Sequence, residues 1–163
     1  MRTGTRRRTM RPHRWHAADE SLGAHRRPPL EVHVAHVLVV DDDPAVREYV
    51  GDILELEGYE VRFAGDGVSA LEAIDRERPD CVILDIMMPG LSGHEVLARV
   101  RQADGGADLP VVMLTAAADE TQAWQAWNGG VDYFLAKPFD ADELLRCLGY
   151  LVETSEHLEA TER

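Results

Sequence analysis

Cysteine is scarce in this sequence, and long apolar runs and glycine-rich cradles are missing altogether. Cys81 and Cys147, the two cysteines, sit inside apolar stretches and not at metal-ligand or redox spacing. They read as small reduced core residues, which argues against a disulfide scaffold or a zinc module. No stretch approaches the roughly 18 apolar residues that a membrane span needs, and the Arg-rich start lacks the apolar segment of a secretory signal. The expected compartment is the cytoplasm. Gly65, Asp66 and Gly67 read as the turn opening a helix, and nothing else resembles a phosphate-cradling loop.

Charge is unevenly supplied. The net charge of −13 comes from 30 acidic against 17 basic residues in 163, but residues 1–35 hold eight Arg against Asp19, Glu20 and Glu31. The start is therefore basic and the remainder strongly acidic. Such a body repels nucleic acid phosphates, so direct DNA binding by the folded part is not expected. Residues 1–35 carry no apolar periodicity and read as a disordered basic extension, or as the product of a misplaced start site. A basic arm for nucleic acid or an acidic surface is the functional alternative.

From His36 onward, short apolar runs alternate with helical patterns. HVLVVD, YEVRFA, DCVILD, PVVMLT and DYFLAK read as strands. PAVREYVGDILELEG, DGVSALEAIDRER, SGHEVLARVRQAD, ADETQAWQAWNGG and DADELLRCLGYLVE read as the helices after them. Near-continuous apolar strands belong to a parallel sheet covered on both faces, so the expected fold is a doubly wound α/β sheet of five strands flanked by five helices. One domain over residues 36–156 follows, with a short polar tail at 157–163 and no attached output domain. Asp43 before Pro44, Ser92 and Asp140 are the expected helix caps.

In such a sheet, ligands bind beyond the carboxyl ends of the strands. Asp41, Asp42 and Asp43 follow the first strand, Asp85 ends the third, Thr115 the fourth and Lys137 the fifth. Singly, each aspartate is a turn former or cap, as Asp43 is expected to be. Collected in one pocket, clustered carboxylates repel and raise each other's pKa unless a cation neutralises them. Mg²⁺, which takes oxygen ligands, suits Asp41, Asp42 and Asp85.

The segments VLVVDDDP, VILDIMMPGLSG, VVMLTA and GVDYFLAKPF resemble the successive signatures of bacterial response regulator receiver domains, over residues 36 to about 153. That resemblance implies a flavodoxin-like strand order 2-1-3-4-5 and a phosphoacceptor role for Asp85. It further implies Mg²⁺ held by Asp42 directly, by Asp41 mainly through water, by Asp85 and by the backbone carbonyl of Met87. Lys137, beside a cis bond to Pro138, would offset charge on the phosphoryl oxygens, and Thr115 with Phe134 would form the switch. The implied partners are a sensor histidine kinase or histidine phosphotransfer protein and a separate downstream target, with dimerisation on phosphorylation as an option. Beyond its own phosphorylation and dephosphorylation the chain would not be an enzyme.

Met87 and Ala117 would flank the path of the hydrolytic water, and neither can orient it. Trp124 and Trp127 stand three apart on the fourth predicted helix, as core residues or, for Trp127, as an exposed anchor on the face made by that helix, the fifth strand and the fifth helix. Two rival readings remain: a degenerate receiver that only binds partners, and a haloacid-dehalogenase-like phosphatase using Asp41 with Asp43. The second leaves Asp85 without a role. Deleting residues 1–33 is expected to leave the melting temperature and phosphorylation unchanged, which calorimetry and phosphodonor labelling check; a large fall in melting temperature would contradict it.

Overall fold

In a computed structural model, residues 33–116 and 127–161 are described, with side chains to residue 153. Five parallel strands, β1 (His36–Val40), β2 (Glu60–Ala64), β3 (Cys81–Asp85), β4 (Val111–Ala116) and β5 (Tyr133–Lys137), form one sheet in the order β2-β1-β3-β4-β5. The helices described whole are α1 (Pro44–Leu56), α2 (Gly67–Arg76), α3 (Gly93–Gln102) and α4 (Ala141–Thr161). The fourth helix of the sequence pattern falls mostly on residues 117–126, outside the described residues. Residues 127 and 128 are helical.

The apolar strands divide their side chains between two cores, as a sheet covered on both faces requires. Leu38, Val40, Val82, Leu84 and Met113 face one layer with Val96, Leu97 and Val100 of α3 and Leu71 and Ile74 of α2. Val37, Val39, Ile83, Val112 and Leu135 face the other, with Val50 and Leu54 of α1 and Leu144 and Leu148 of α4. β3, central and flanked on both sides, is buried along its whole length. Both cysteines are buried and free, Cys81 at the start of β3 and Cys147 on α4. Burial pushes the Cys147 thiol up to about 12 and Cys81 higher still, so both are inert apolar residues.

The helix starts are built by the expected caps. Asp43 accepts a hydrogen bond from the Ala45 amide with Pro44 opening α1, and Asp66 accepts from the Ser69 amide. Ser92 and Glu95 form a reciprocal capping box on α3, and Asp140 accepts from the Glu143 amide. α1 is capped by Glu57 and followed by Gly58, whose φ of 89° is the left-handed conformation that favours glycine. α4 continues to Thr161, through most of the segment that its polarity marks as a tail. SEHLEAT contains no Gly or Pro to stop it, so its polarity does not mark a helix end. Among the described residues, no helix is long and apolar enough to cross a membrane.

Arg101, only 15% exposed, ties α3 to the strands beyond it. Its guanidinium donates to the carbonyls of Gly130 at 2.9 Å and of Gly106 and Leu109 at 2.7 Å each, and to the Asp132 carboxylate at 2.8 Å. Asp132 also accepts from the Val111 amide, so one ion pair secures the starts of both β4 and β5. Arg101→Ala strands three carbonyls and a carboxylate, and is expected to destabilise the fold by about 3 kcal/mol in urea unfolding. A loss within about 0.5 kcal/mol, the range of ordinary surface substitutions, would contradict that role.

Candidate phosphoacceptor site

Parallel pairing brings the carboxyl ends of β1, β3, β4 and β5 to one crest of the sheet. Leu84 pairs with Val40, Asp85 with Leu114 and Ala116 with Lys137. Asp41 follows Val40 directly, so the two aspartates stand on adjacent strand ends, and Thr115 lies one residue beyond the partner of Asp85. Asp41 and Asp85, at 1% and 4% exposure, are the only buried polar or charged residues in the described part of the chain. Such positions are costly for carboxylates without a partner.

That partner is Lys137, the single lysine in the sequence. Its Nζ donates to Asp41 Oδ2 at 2.8 Å and to Asp85 Oδ1 at 3.3 Å. The other oxygen of Asp41 accepts from the Asp43 amide at 2.9 Å, so both are engaged. The Lys137–Pro138 peptide bond is cis. Burial and the neighbouring Asp41 charge raise the Asp85 pKa, against opposing pulls from Lys137 and the Met87 amide. Burial alone would lower that of Lys137, but its hydrogen bond to Asp41 and the two carboxylate charges outweigh it, and the net direction is upward.

Oxygen atoms of Asp41, Asp42 and Asp85 lie within 4.8 Å of one another. Asp42 is exposed, while the others are buried. The single Lys137 ammonium is shared by two of these three carboxylates and offsets the charge of one. An all-oxygen donor set with two negative charges in excess fits a hard divalent cation such as Mg²⁺.

The loop after Asp85 is fixed by a close approach. Gly93 donates its amide to the Ile86 carbonyl at 2.9 Å, and a Cβ there would lie 2.4 Å from the Asp85 carbonyl oxygen. Any other residue would push α3 away from the acceptor strand. Met87 is exposed at 63%. Phe134 is partly buried, packs against the α2–α3 core and lies 5.8 Å, ring to ring, from the exposed Trp127. Trp124 and Ala117 lie outside the described residues.

Sequence reasoning missed one cation beside the site. Arg47 of α1 donates to the Asp41 backbone carbonyl at 2.7 Å and packs near Gly65. Its place one helical turn into α1 was the available signal.

A family model for the response regulator receiver domain matches residues 37–148. The chain belongs to this family. Response regulator MprA of Mycobacterium leprae (strain TN) is 42% identical over 126 residues, 77% of this chain and 54% of that protein. The chain thus spans about half the length of the curated relatives it matches. A putative response regulator from Chloroflexus aurantiacus J-10-fl superposes with a TM-score of 0.72 at 36% identity, over 74% of this chain and 99% of that one. The chemotaxis protein CheY4 of Vibrio cholerae does so with 0.70 at 34%, over 73% and 99%. The flavodoxin-like order follows from the sheet itself and is shared with this family.

The raised Asp85 pKa has a definite sign in stability. The folded state keeps a proton that the unfolded chain has released, so ionising Asp85 lowers stability as pH rises from the unfolded value of roughly 3.9 through the higher folded one. Above that window the full penalty remains. In metal-free buffer at pH 7, Asp85→Asn is expected to melt several degrees above the parent chain, with the gap closing below about pH 4. Calorimetry at the two pH values checks this; a lower melting temperature at pH 7 would show that Lys137 overcompensates the burial.

Proposed function

We propose that the chain is a phosphoacceptor signalling domain that takes a phosphoryl group onto Asp85, from a histidine kinase, a histidine phosphotransfer protein or a small phosphodonor. The observation carrying this reading is the Lys137 ammonium bridging two buried carboxylates at the strand crest, with Asp42 completing an oxygen cluster. Family membership supports it.

A carboxylate oxygen of Asp85 attacks phosphorus as the bond from phosphorus to the donor atom breaks, giving an acyl phosphate. Lys137 is the group able to follow the charge, since its compact ammonium can exchange a carboxylate contact for a phosphoryl oxygen. Asp41, with both oxygens engaged, acts through Lys137 and through water. A divalent cation held by Asp42, Asp85 and the Met87 carbonyl, with Asp41 behind, would supply further neutralisation of the phosphoryl oxygens. Thr115, half-buried one residue beyond the strand partner of Asp85, would meet the new oxygens. Phe134 is the companion switch residue, and as a phenylalanine it brings no hydroxyl to its buried state. The domain reading is a receiver over residues 36–156, with a basic extension before it.

The phosphatase reading draws no support from the geometry, because Asp43 is engaged in capping α1 and Asp41 is buried beneath Lys137. Incubation with labelled acetyl phosphate and Mg²⁺ is expected to give one acid-labile phosphoryl group per chain, abolished in Asp85→Asn. Label on Asp41, or acid-stable label, would reject the reading. Met87, exposed beside the acceptor and unable to orient water, is expected to leave the acyl phosphate long-lived. Met87→Asn together with Ala117→Glu should speed its loss about tenfold or more, roughly 1.4 kcal/mol of barrier; time courses of label decay in both proteins decide it.

A further inference from the structure

Phe63 stands apart from this chemistry. It lies on β2, an edge strand of the sheet, and is 47% exposed although it faces α1. The ring rests on the helix backbone at Gly51, where a Cβ would lie 2.6 Å from its tip. Glycine in a helix interior costs stability relative to alanine, so the close approach of the ring gives that glycine a physical role. The result is an open groove of about 410 Å³ lined by Pro44, Arg47, Glu48, Gly51, Asp52, Glu55 and Phe63.

Its floor is aromatic and its wall is acidic. Glu48, Asp52 and Glu55 repeat at the spacing of successive turns along α1, so three carboxylates follow the groove. Arg47, the one cation in the lining, is held at its end by the Asp41 carbonyl. From Pro44 to Glu55 the helix runs about 16 Å at 1.5 Å per residue, which matches three turns of a docked helix. Tyr49, one turn before Asp52, turns to a different neighbour and meets the Phe139 ring at 6.1 Å.

We propose that this groove docks a basic amphipathic helix of a partner protein, with an apolar side chain seated on Phe63 and Lys or Arg residues along the Glu48, Asp52 and Glu55 wall. Charge complementarity selects this occupant: a second copy of the acidic body would meet like charge, and an acidic peptide would be repelled. The surface is independent of Asp85 chemistry, so its failure and that of the phosphoacceptor reading are separable.

The test uses the full chain, isotope-labelled, and a synthetic amphipathic helix of Leu and Lys, with the Leu and Glu peptide as control. The Lys peptide is expected to shift amides of Gly51, Asp52, Glu55 and Phe63 in a saturable way. Its affinity should fall at least tenfold in E48Q/D52N/E55Q, whose melting temperature and labelling on Asp85 stay at parent values, and at least fivefold in Phe63→Ala. Shifts spread over the whole acidic surface, equal binding of the Glu peptide, or unchanged affinity in the triple variant would overturn the proposal. Concentration-dependent shifts of the same amides without peptide would assign the groove to a second copy and overturn it equally.

Discussion

Two carboxylates buried at the ends of adjacent strands would repel each other, and the ammonium of Lys137 is what makes that arrangement tolerable. Its two hydrogen bonds reach Asp41 and Asp85 across strands that are far apart in sequence and joined only by the sheet. The surrounding structure serves that bridge. Buried apolar strands hold the crest residues in register, and the Arg101 network fixes where β5, and hence Lys137, begins. An arginine would fit poorly here, since a planar fork cannot serve two oxygens from one compact point as an ammonium can.

The same bridge leaves the site incompletely neutralised. Asp42 contributes a third carboxylate at the solvent edge, while burial and the neighbouring Asp41 charge shift Asp85 upward. A centre in that condition favours added positive charge and then an anion carried by it, which is the order in which a cation and a phosphoryl group would be accommodated. Stability and chemistry would thus be opposed at Asp85: the burial that weakens the resting fold would also make the carboxylate useful as a phosphoacceptor.

Much of this was legible in the sequence. The βα alternation, the acidic positions after the first and third strands and the lysine after the fifth follow from periodicity and from the rule that ligands meet a parallel sheet at its carboxyl ends. The caps at Asp43, Ser92 and Asp140 were equally visible, because a short polar residue before an apolar-periodic run has a local meaning. Contacts between distant elements were not. Arg101 looks in sequence like any exposed arginine on a polar face, and only the folded chain brings four acceptors from two segments around it. Gly51 and Phe63 carry no mutual signal at all, being separated by a turn and a strand start. The length of α4 was misread for the opposite reason: polarity was taken for an ending where no helix breaker stands.

Glycine at position 93 gives the acceptor loop its mechanical character. With no side chain between α3 and the Asp85 carbonyl, helix and strand end touch backbone to backbone, while the other end of α3 grips Gly130 and Asp132 through Arg101. A rod clamped at both ends does not swing. Asp85 is therefore mounted on an anvil: a covalent group added there would press on the groups around it, and side chains facing Asp85 would yield before the loop that carries it.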